Sequence, residues 1–227
     1  MTNDAAADPA EALRRGSVLF MGLELAVGPG ALVPRPETEL LARTAIAMLQ
    51  ARGGEPLVVD MGCGSGNLAC ALGMALGAAQ LYAADISPAA ARITATNAET
   101  LGLTARLHVF VGDLFGALPQ ALRGRTDAVV ANPPYISTGK LDGERASLLE
   151  NEPREAFDAG PYGLLLHQRI AAEAPDYLSP EGLLACEFGV GQERQMRLIV
   201  DRTRAYNDLT FYANAEGVLR CFTATRR

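Results

Sequence analysis

The chain is 227 residues long, 49% hydrophobic and formally −6 in charge, with Lys140 as its only lysine. That length and apolar content support one buried α/β core, while the scattered arginines form no basic block of the kind a nucleic-acid face needs to neutralise phosphates. No apolar run is long enough to span a bilayer, and the first residues lack the basic-then-apolar order of a signal peptide, so a cytoplasmic protein is expected.

Residues 1–17, Ala-rich and polar with Pro9, read as a flexible or short helical tail. Residues 18–227 read as a single domain that opens with a hairpin over 18–35, in which residues 18–33 alternate and Gly28-Pro29-Gly30 forms the turn. This hairpin is expected to cover the ligand side ahead of a helix starting near Pro36, where a missing N–H costs nothing. Leu57-Val-Val-Asp60 is a short apolar strand, followed by a glycine-rich stretch and a helix over about 67–76. Strands near 80–84, 106–111 and 127–131 alternate with helical segments, the pattern of a parallel sheet with right-handed crossovers. Residues 183–187 add a fifth strand and 190–205 a helix, and the tail runs strand, turn, strand over 209–213, 214–217 and 218–223. The expected fold is therefore α/β and Rossmann-like: a mostly parallel seven-stranded sheet with a C-terminal antiparallel hairpin. Cys63, Cys70, Cys186 and Cys221 show neither CxxC nor paired-His spacing, so buried reduced thiols are expected in place of disulfides or zinc, and His108 and His167 read as structural.

Three strands end in an acid. After Asp60 comes Met61-Gly62-Cys63-Gly64-Ser65-Gly66, whose alternate glycines permit φ values closed to other residues and let a ligand press against the backbone. The spacing does not match the GxGxxG pyrophosphate fingerprint, and an acid at the strand end suits a cation, so Asp60 is expected to face an ammonium or sulfonium group, directly or through water. Leu81-Tyr-Ala-Ala-Asp85 ends in a carboxylate placed to take both hydroxyls of a ribose. Asp113, after the run Leu107-His-Val-Phe-Val111, can accept from an exocyclic amine while Leu114 covers an adenine ring. Taken singly, each acid reads first as an N-cap or turn residue. Three at the ends of successive strands form a pattern, because ligands of open α/β sheets bind beyond the carboxyl ends of the strands.

A further strand, Asp127-Ala-Val-Val-Ala131, runs into Asn132-Pro133-Pro134-Tyr135. Two prolines fix φ and end the ladder, which makes the loop stiff. Asn132 offers a carbonyl acceptor, neighbouring backbone carbonyls offer others, and Tyr135 offers a flat π face, so the loop suits a planar NH2 on an sp2 centre: an amide or an aromatic amine. Alone it reads equally as a proline-rich turn whose asparagine makes its own turn hydrogen bond.

In this order, Asp60-x-Gly-x-Gly-x-Gly66, Asp85, Asp113-Leu-Phe115 and Asn132-Pro-Pro-Tyr135 resemble the class I S-adenosylmethionine-dependent methyltransferases of the amino-methylating branch. Pro34-Arg-Pro-Glu-Thr-Glu39, with Asn132-Pro-Pro-Tyr-Ile136 and Glu152-Pro153, makes the chain from Gly22 onward similar to the HemK/PrmC family, glutamine N5-methyltransferases that modify peptide release factors. The resemblance implies S-adenosylmethionine as donor and S-adenosylhomocysteine as product, held by Asp60, Gly62, Gly64, Asp85, Asp113 and Asn132, with Cys63, Gly66, Ile86 and Leu114 beside them. It implies Asn132, Pro133 and Tyr135 as catalytic residues, Pro134 with them around the acceptor, and no metal. The chemistry then expected is direct displacement at a sulfonium, in which positioning suffices and no strong base is required. Glu37 and Glu39 read either as contacts to cofactor or acceptor or as solvated helix-start carboxylates. Members that act on release factors resemble two-domain proteins with an N-terminal helical domain for the substrate, and here the stretch before Gly22 is too short for one. The expected acceptor is thus a protein glutamine, with a small-molecule amide, amine or N-heterocycle as the alternative. A non-catalytic partner subunit would need none of the intact glycines, Asp85 or Asn132, and DNA adenine methylation, which uses a similar tetrapeptide, is disfavoured by the charge.

Overall fold

The computed structural model describes residues 8–227, and residues 1–7 of the expected tail lie outside the described residues. The first element, α1 (Pro9–Arg15), is capped by Asp8, whose side chain accepts from the Ala10 amide. β1 (Ser17–Phe20) and β2 (Leu23–Ala26) form an antiparallel hairpin, but its turn is Met21-Gly22 and not Gly28-Pro29-Gly30. Of the two-residue turns that follow strand twist, type I′ needs positive φ at both positions. Gly22 (φ 80) and Met21 (φ 49) supply this, and Glu39 Oε1 holds the Met21 amide at 2.9 Å. Gly30 serves a different purpose, close approach. A Cβ on Gly30 would stand 2.6 Å from that of Ala89, and Ser87 Oγ donates to the Gly30 carbonyl at 3.1 Å.

α2 (Thr38–Arg52) starts two residues after Pro36, which lies in the turn leading into it. The repeating unit then runs β3 (Leu57–Met61), α3 (Asn67–Ala75), β4 (Gln80–Asp85), α4 (Pro88–Thr100), β5 (Leu107–Val111) and β6 (Thr126–Ala131). A short α5 (Thr138–Asp142) and α6 (Leu165–Glu173) precede β7 (Leu178–Glu187), and α7 (Glu193–Thr203), β8 (Tyr206–Ala213) and β9 (Leu219–Arg226) finish the chain. The main sheet has seven strands in the order β5-β4-β3-β6-β7-β9-β8, parallel except where β9 pairs with β7 and β8.

Helices on both faces explain why the central strands read as unbroken apolar runs. Successive side chains point to opposite faces. Val58, Ala83, Val130 and Leu183 therefore join the core beneath α2 and α3, while Val59, Ala84, Val129 and Leu184 join the one packed against Ile170 of α6 and Met196 of α7. From β3 the chain steps outward to β4 and β5, then returns across to β6 and β7. The carboxyl ends of β3 and β6 thus flank the point where the winding reverses, the place where open α/β sheets leave a crevice for ligand. All four cysteines are free and buried, and no described helix is long and apolar enough to cross a membrane.

Candidate active site

A cavity of about 480 Å³ opens at that reversal. Its walls are the 30–38 loop, the glycine turn after β3 with the first residues of α3, the turn after β4, and Asn132 facing residues 153–156. The glycine turn is tied down from below: the amides of Gly62 and Cys63 both donate to the Ala84 carbonyl, at 2.8 and 3.1 Å. Gly62 and Gly64 have φ of 74 and 57, and nothing lies within 4 Å of where a Cβ on either would stand. Their backbone is therefore bared to open space. Gly66 (φ 78) answers a different need, since a Cβ there would meet Thr94 Cγ2 at 2.7 Å, so it allows α3 to start hard against α4.

Asp85 accepts from the Gly64 amide through Oδ2 (2.9 Å) and from the Ser87 amide through Oδ1 (2.8 Å), and it lines the cavity with acceptor capacity to spare. Burial raises its pKa against the pull of these amides. Asp60 sits behind the turn, not in the lining. Its Oδ2 takes the Ala69 amide at 2.9 Å, its Oδ1 is buried without a partner, and burial, with Asp85 adding, pushes its pKa up to about 7. Cys63 lines the cavity, but burial holds its pKa well above the usual thiol value, so it stays a neutral thiol.

Asn132 closes β6 with its Nδ2 donating to Thr38 Oγ1 at 3.0 Å. Its loop is braced from outside: Gln192 Nε2 donates to the Tyr135 carbonyl at 3.1 Å, and Arg220 Nη2 donates to the Tyr135 hydroxyl at 3.4 Å. Burial, then the neighbouring Glu187 charge, raises the Tyr135 pKa. On the far wall Glu152, itself buried, accepts from the Val33 amide (2.8 Å) and pairs with Arg35 at 2.5 Å, clasping the 30–38 loop to the segment after Tyr135.

Of the residues singled out from sequence, Gly62, Cys63, Gly64, Asp85, Ile86 and Asn132 meet around the cavity. Gly66 and Asp60 lie just beneath it, and Pro133, Pro134 and Tyr135 continue from Asn132 outside the lining. The structure does not bring Asp113 and Leu114 to it: Asp113 is exposed and pairs with Arg169 at 2.8 Å, and Leu114 packs on the core against α6 and α7. Glu39 serves the Met21 turn and Arg43, while Glu37 is exposed. The residues sequence reasoning passed over are Thr38, Gln192, Glu187 and Arg220. An acid closing an apolar strand is the signal common to Asp60, Asp85 and Glu187, and it marks the third as well as the first two.

A stiff Asn-Pro-Pro-Tyr loop beside a glycine turn and a strand-end acid, all at the sheet's winding reversal, defines a methyltransferase of the class I fold. Comparison agrees: the family model described as Ribosomal protein L11 methyltransferase (PrmA) matches residues 37–133. A release factor glutamine methyltransferase from Moorella thermoacetica is 39% identical over 209 residues, 92% of this chain and 72% of that protein. The chain belongs to the release factor glutamine methyltransferase family. It spans 62–72% of the length of the first four such relatives. A solved protein-(glutamine-N5) methyltransferase (release factor-specific) from Alicyclobacillus acidocaldarius matches with a TM-score of 0.52 at 26% identity, over 89% of this chain and 99% of its own. A 4-amino-L-phenylalanine/4-methylamino-L-phenylalanine methyltransferase from Streptomyces pristinaespiralis is 39% identical over 186 residues, 80% of this chain and 61% of that protein.

Proposed function

We propose that this chain transfers a methyl group from S-adenosylmethionine to the side-chain amide nitrogen of a glutamine in a release factor, and that residues 18–227 act as one methyltransferase domain. The observation that carries the reading is the orientation of Asn132. With Nδ2 committed to Thr38, Oδ1 is left to accept from an incoming N–H.

The residues present fit the donor. Bared glycine backbone at 62 and 64 accepts close approach, the free lone pairs of Asp85 suit a ribose diol, and the unpartnered Oδ1 of Asp60 supplies negative potential behind the turn. When bound, S-adenosylmethionine supplies a methyl group already activated by a positive sulfur. The protein's share is then to hold the acceptor nitrogen in line. Asn132 Oδ1 takes one amide hydrogen and the Pro133 carbonyl the other, which turns the nitrogen lone pair toward the donor. An amide nitrogen becomes acidic only as its new bond forms, so its proton departs late to a carbonyl or water. No ionised thiol or imidazole is needed, in keeping with the neutral Cys63 and with His167, whose buried ring is engaged with the Glu187 carbonyl at 2.8 Å.

Mass spectrometry of a release factor incubated with the chain and labelled donor tests this reading, the expected product being one N5-methylated glutamine. A second reading draws on the Streptomyces relative, named for an aromatic amine that is also a planar NH2 on an sp2 centre. Parallel incubation with 4-amino-L-phenylalanine separates the two. Label on the free amino acid with none on the release factor would move the acceptor to the small molecule.

A further inference from the structure

The Asn132 loop cannot tie itself down across its prolines. Pro133 and Pro134 have no N–H, so between Asn132 and Tyr135 the backbone offers only carbonyls, and that of Pro133 has to stay free for an acceptor N–H. The grip comes from behind, from the turn between β7 and α7. Gly189 and Gln192 bond reciprocally there: the Gln192 amide donates to the Gly189 carbonyl at 3.1 Å, and the Gly189 amide donates to Gln192 Oε1 at 2.9 Å. Gln192 Nε2 then donates to the Tyr135 carbonyl at 3.1 Å and stands 3.5 Å from that of Gly163. A backbone amide only donates and a carbonyl only accepts, so the two partners fix which way the carboxamide faces. Although Gln192 is the N-cap of α7, its side chain makes no capping bond to that helix. Two buried glycines let the loop come this close. A Cβ on Gly163 would stand 2.7 Å from the Tyr135 carbonyl oxygen, and one on Gly189 would stand 2.9 Å from Cδ2 of the Tyr135 ring.

We propose that Gln192 is a positioning residue: by holding the Tyr135 carbonyl it seats the Asn132–Tyr135 loop on Gly163 and Gly189, and so sets where the Pro133 carbonyl meets the acceptor nitrogen. Gln192 is not part of the cavity lining, so it acts only through the loop. The loop's ends have other anchors, Asn132 on Thr38 and the Ile136 amide on the Phe157 carbonyl at 3.1 Å. Without Gln192 the chain therefore keeps its course there, and what it loses is a fixed seat for the prolines. In-line transfer is sensitive to such a loss, since a misplacement of about 1 Å can cost on the order of 100-fold in rate. This rests on the reading of Asn132 and Pro133 as the residues that receive the acceptor.

The test compares Asn132→Ala, Gln192→Met and Gln192→Glu with wild type at pH 8, on a release factor and on 4-amino-L-phenylalanine. Turnover is counted per donor-binding site, and donor affinity, melting temperature and hydrogen exchange at the Ile136 amide are measured on each. Gln192→Met keeps the length and removes both bonds, whereas Gln192→Glu keeps an acceptor for the Gly189 amide but sets an ionised oxygen against the Tyr135 carbonyl. Both are expected to lower kcat by about 10-fold or more, the scale of one lost hydrogen bond in a positioned site, and to speed Ile136 exchange by a similar factor. Donor affinity and melting temperature should stay near wild type. A role in stability alone predicts another order, with Gln192→Glu better than Gln192→Met because it retains the Gly189 bond. That order, wild-type kcat in Gln192→Met, or turnover lost only in step with donor affinity overturns the positioning role, while an inactive Asn132→Ala leaves the acceptor reading standing. Full turnover by Asn132→Ala removes both. If neither acceptor takes label, exchange decides: wild-type protection of the Ile136 amide in Gln192→Met overturns the proposal, and faster exchange there supports it.

Discussion

The Gly64 amide donates to the Asp85 carboxylate at 2.9 Å, so the glycine turn after β3 and the last residue of β4 form one unit before any ligand arrives. With Ser87 on the other oxygen, the carboxylate is fixed in rotation and its remaining lone pairs have a set direction. Asp85→Ala should therefore lose both the ribose contacts and the brace on the turn. The expected loss is about 1.5–3 kcal/mol in affinity for S-adenosylmethionine and S-adenosylhomocysteine, the range for hydrogen bonds to a charged group. Calorimetry on the folded variant checks it, and unchanged affinity for both ligands would refute the ribose assignment.

Gly66 separates sterics from backbone strain. A Cβ there collides with Thr94 Cγ2 at 2.7 Å and must also tolerate φ 78. Gly66→Ala is expected to cost on the order of 1–3 kcal/mol in stability. Adding Thr94→Ser removes the colliding methyl but keeps the hydroxyl that bonds the Gly64 carbonyl at 3.0 Å, so it should recover part of the loss and not all. Denaturant unfolding of the two variants measures the split. No recovery at all would mean that the methyl does not set the cost, which then lies in backbone strain and in the Thr94 Oγ1 and Cβ contacts at 3.0 and 3.1 Å.

Much of this arrangement is legible in the chain because it is local. Apolar runs ending in Asp60, Asp85 and Asn132 announce both the sheet and the edge where the cavity opens, and the glycines at 62, 64 and 66 announce the turn. What escapes is set by partners far away in sequence. The hairpin turn settles at Met21-Gly22 because Glu39, from α2, holds the Met21 amide, and nothing in Met21 itself signals a positive φ. Asp113 reads from sequence as a base reader, and its partner in the structure, Arg169 of α6, is one that no local signal announces. The Arg220–Glu187 and Arg35–Glu152 pairs bridge segments whose adjacency only the folded sheet creates.

The Arg35–Glu152 clasp should govern the wall of the cavity more than the fold. Glu152→Ala leaves the Val33 amide without its acceptor and Arg35 without its counter-ion. Arg35 is partly exposed and can turn to solvent, so the cost in global stability should stay near the lower end of about 1–3 kcal/mol. Hydrogen exchange should instead rise sharply at the Val33 amide and through residues 153–156, together with weaker donor binding. Protection at Val33 equal to wild type would show that the clasp does not hold the loop.

Asp60 gives the chain a pH dependence with a definite sign. Its folded pKa of about 7 lies above the ordinary 3.8, so across that interval the folded protein keeps a proton that the unfolded chain has released. Its contribution to stability is fully present below the lower value and is lost as pH rises through the upper one. His167, held down to about 4 by burial, slopes the other way, its contribution being lost as pH falls through that value, so the informative quantity is the difference from Asp60→Asn. Wild type should lose stability relative to this variant between about pH 4 and 7. A cationic ligand in front of the glycine turn favours the ionised acid, so donor binding should release a proton near pH 7 and tighten as pH rises through it, and Asp60→Asn should flatten both effects. Calorimetry in buffers of different ionisation enthalpy reads the proton directly. Proton uptake on binding, or release of the same size in Asp60→Asn, would place the titrating group elsewhere.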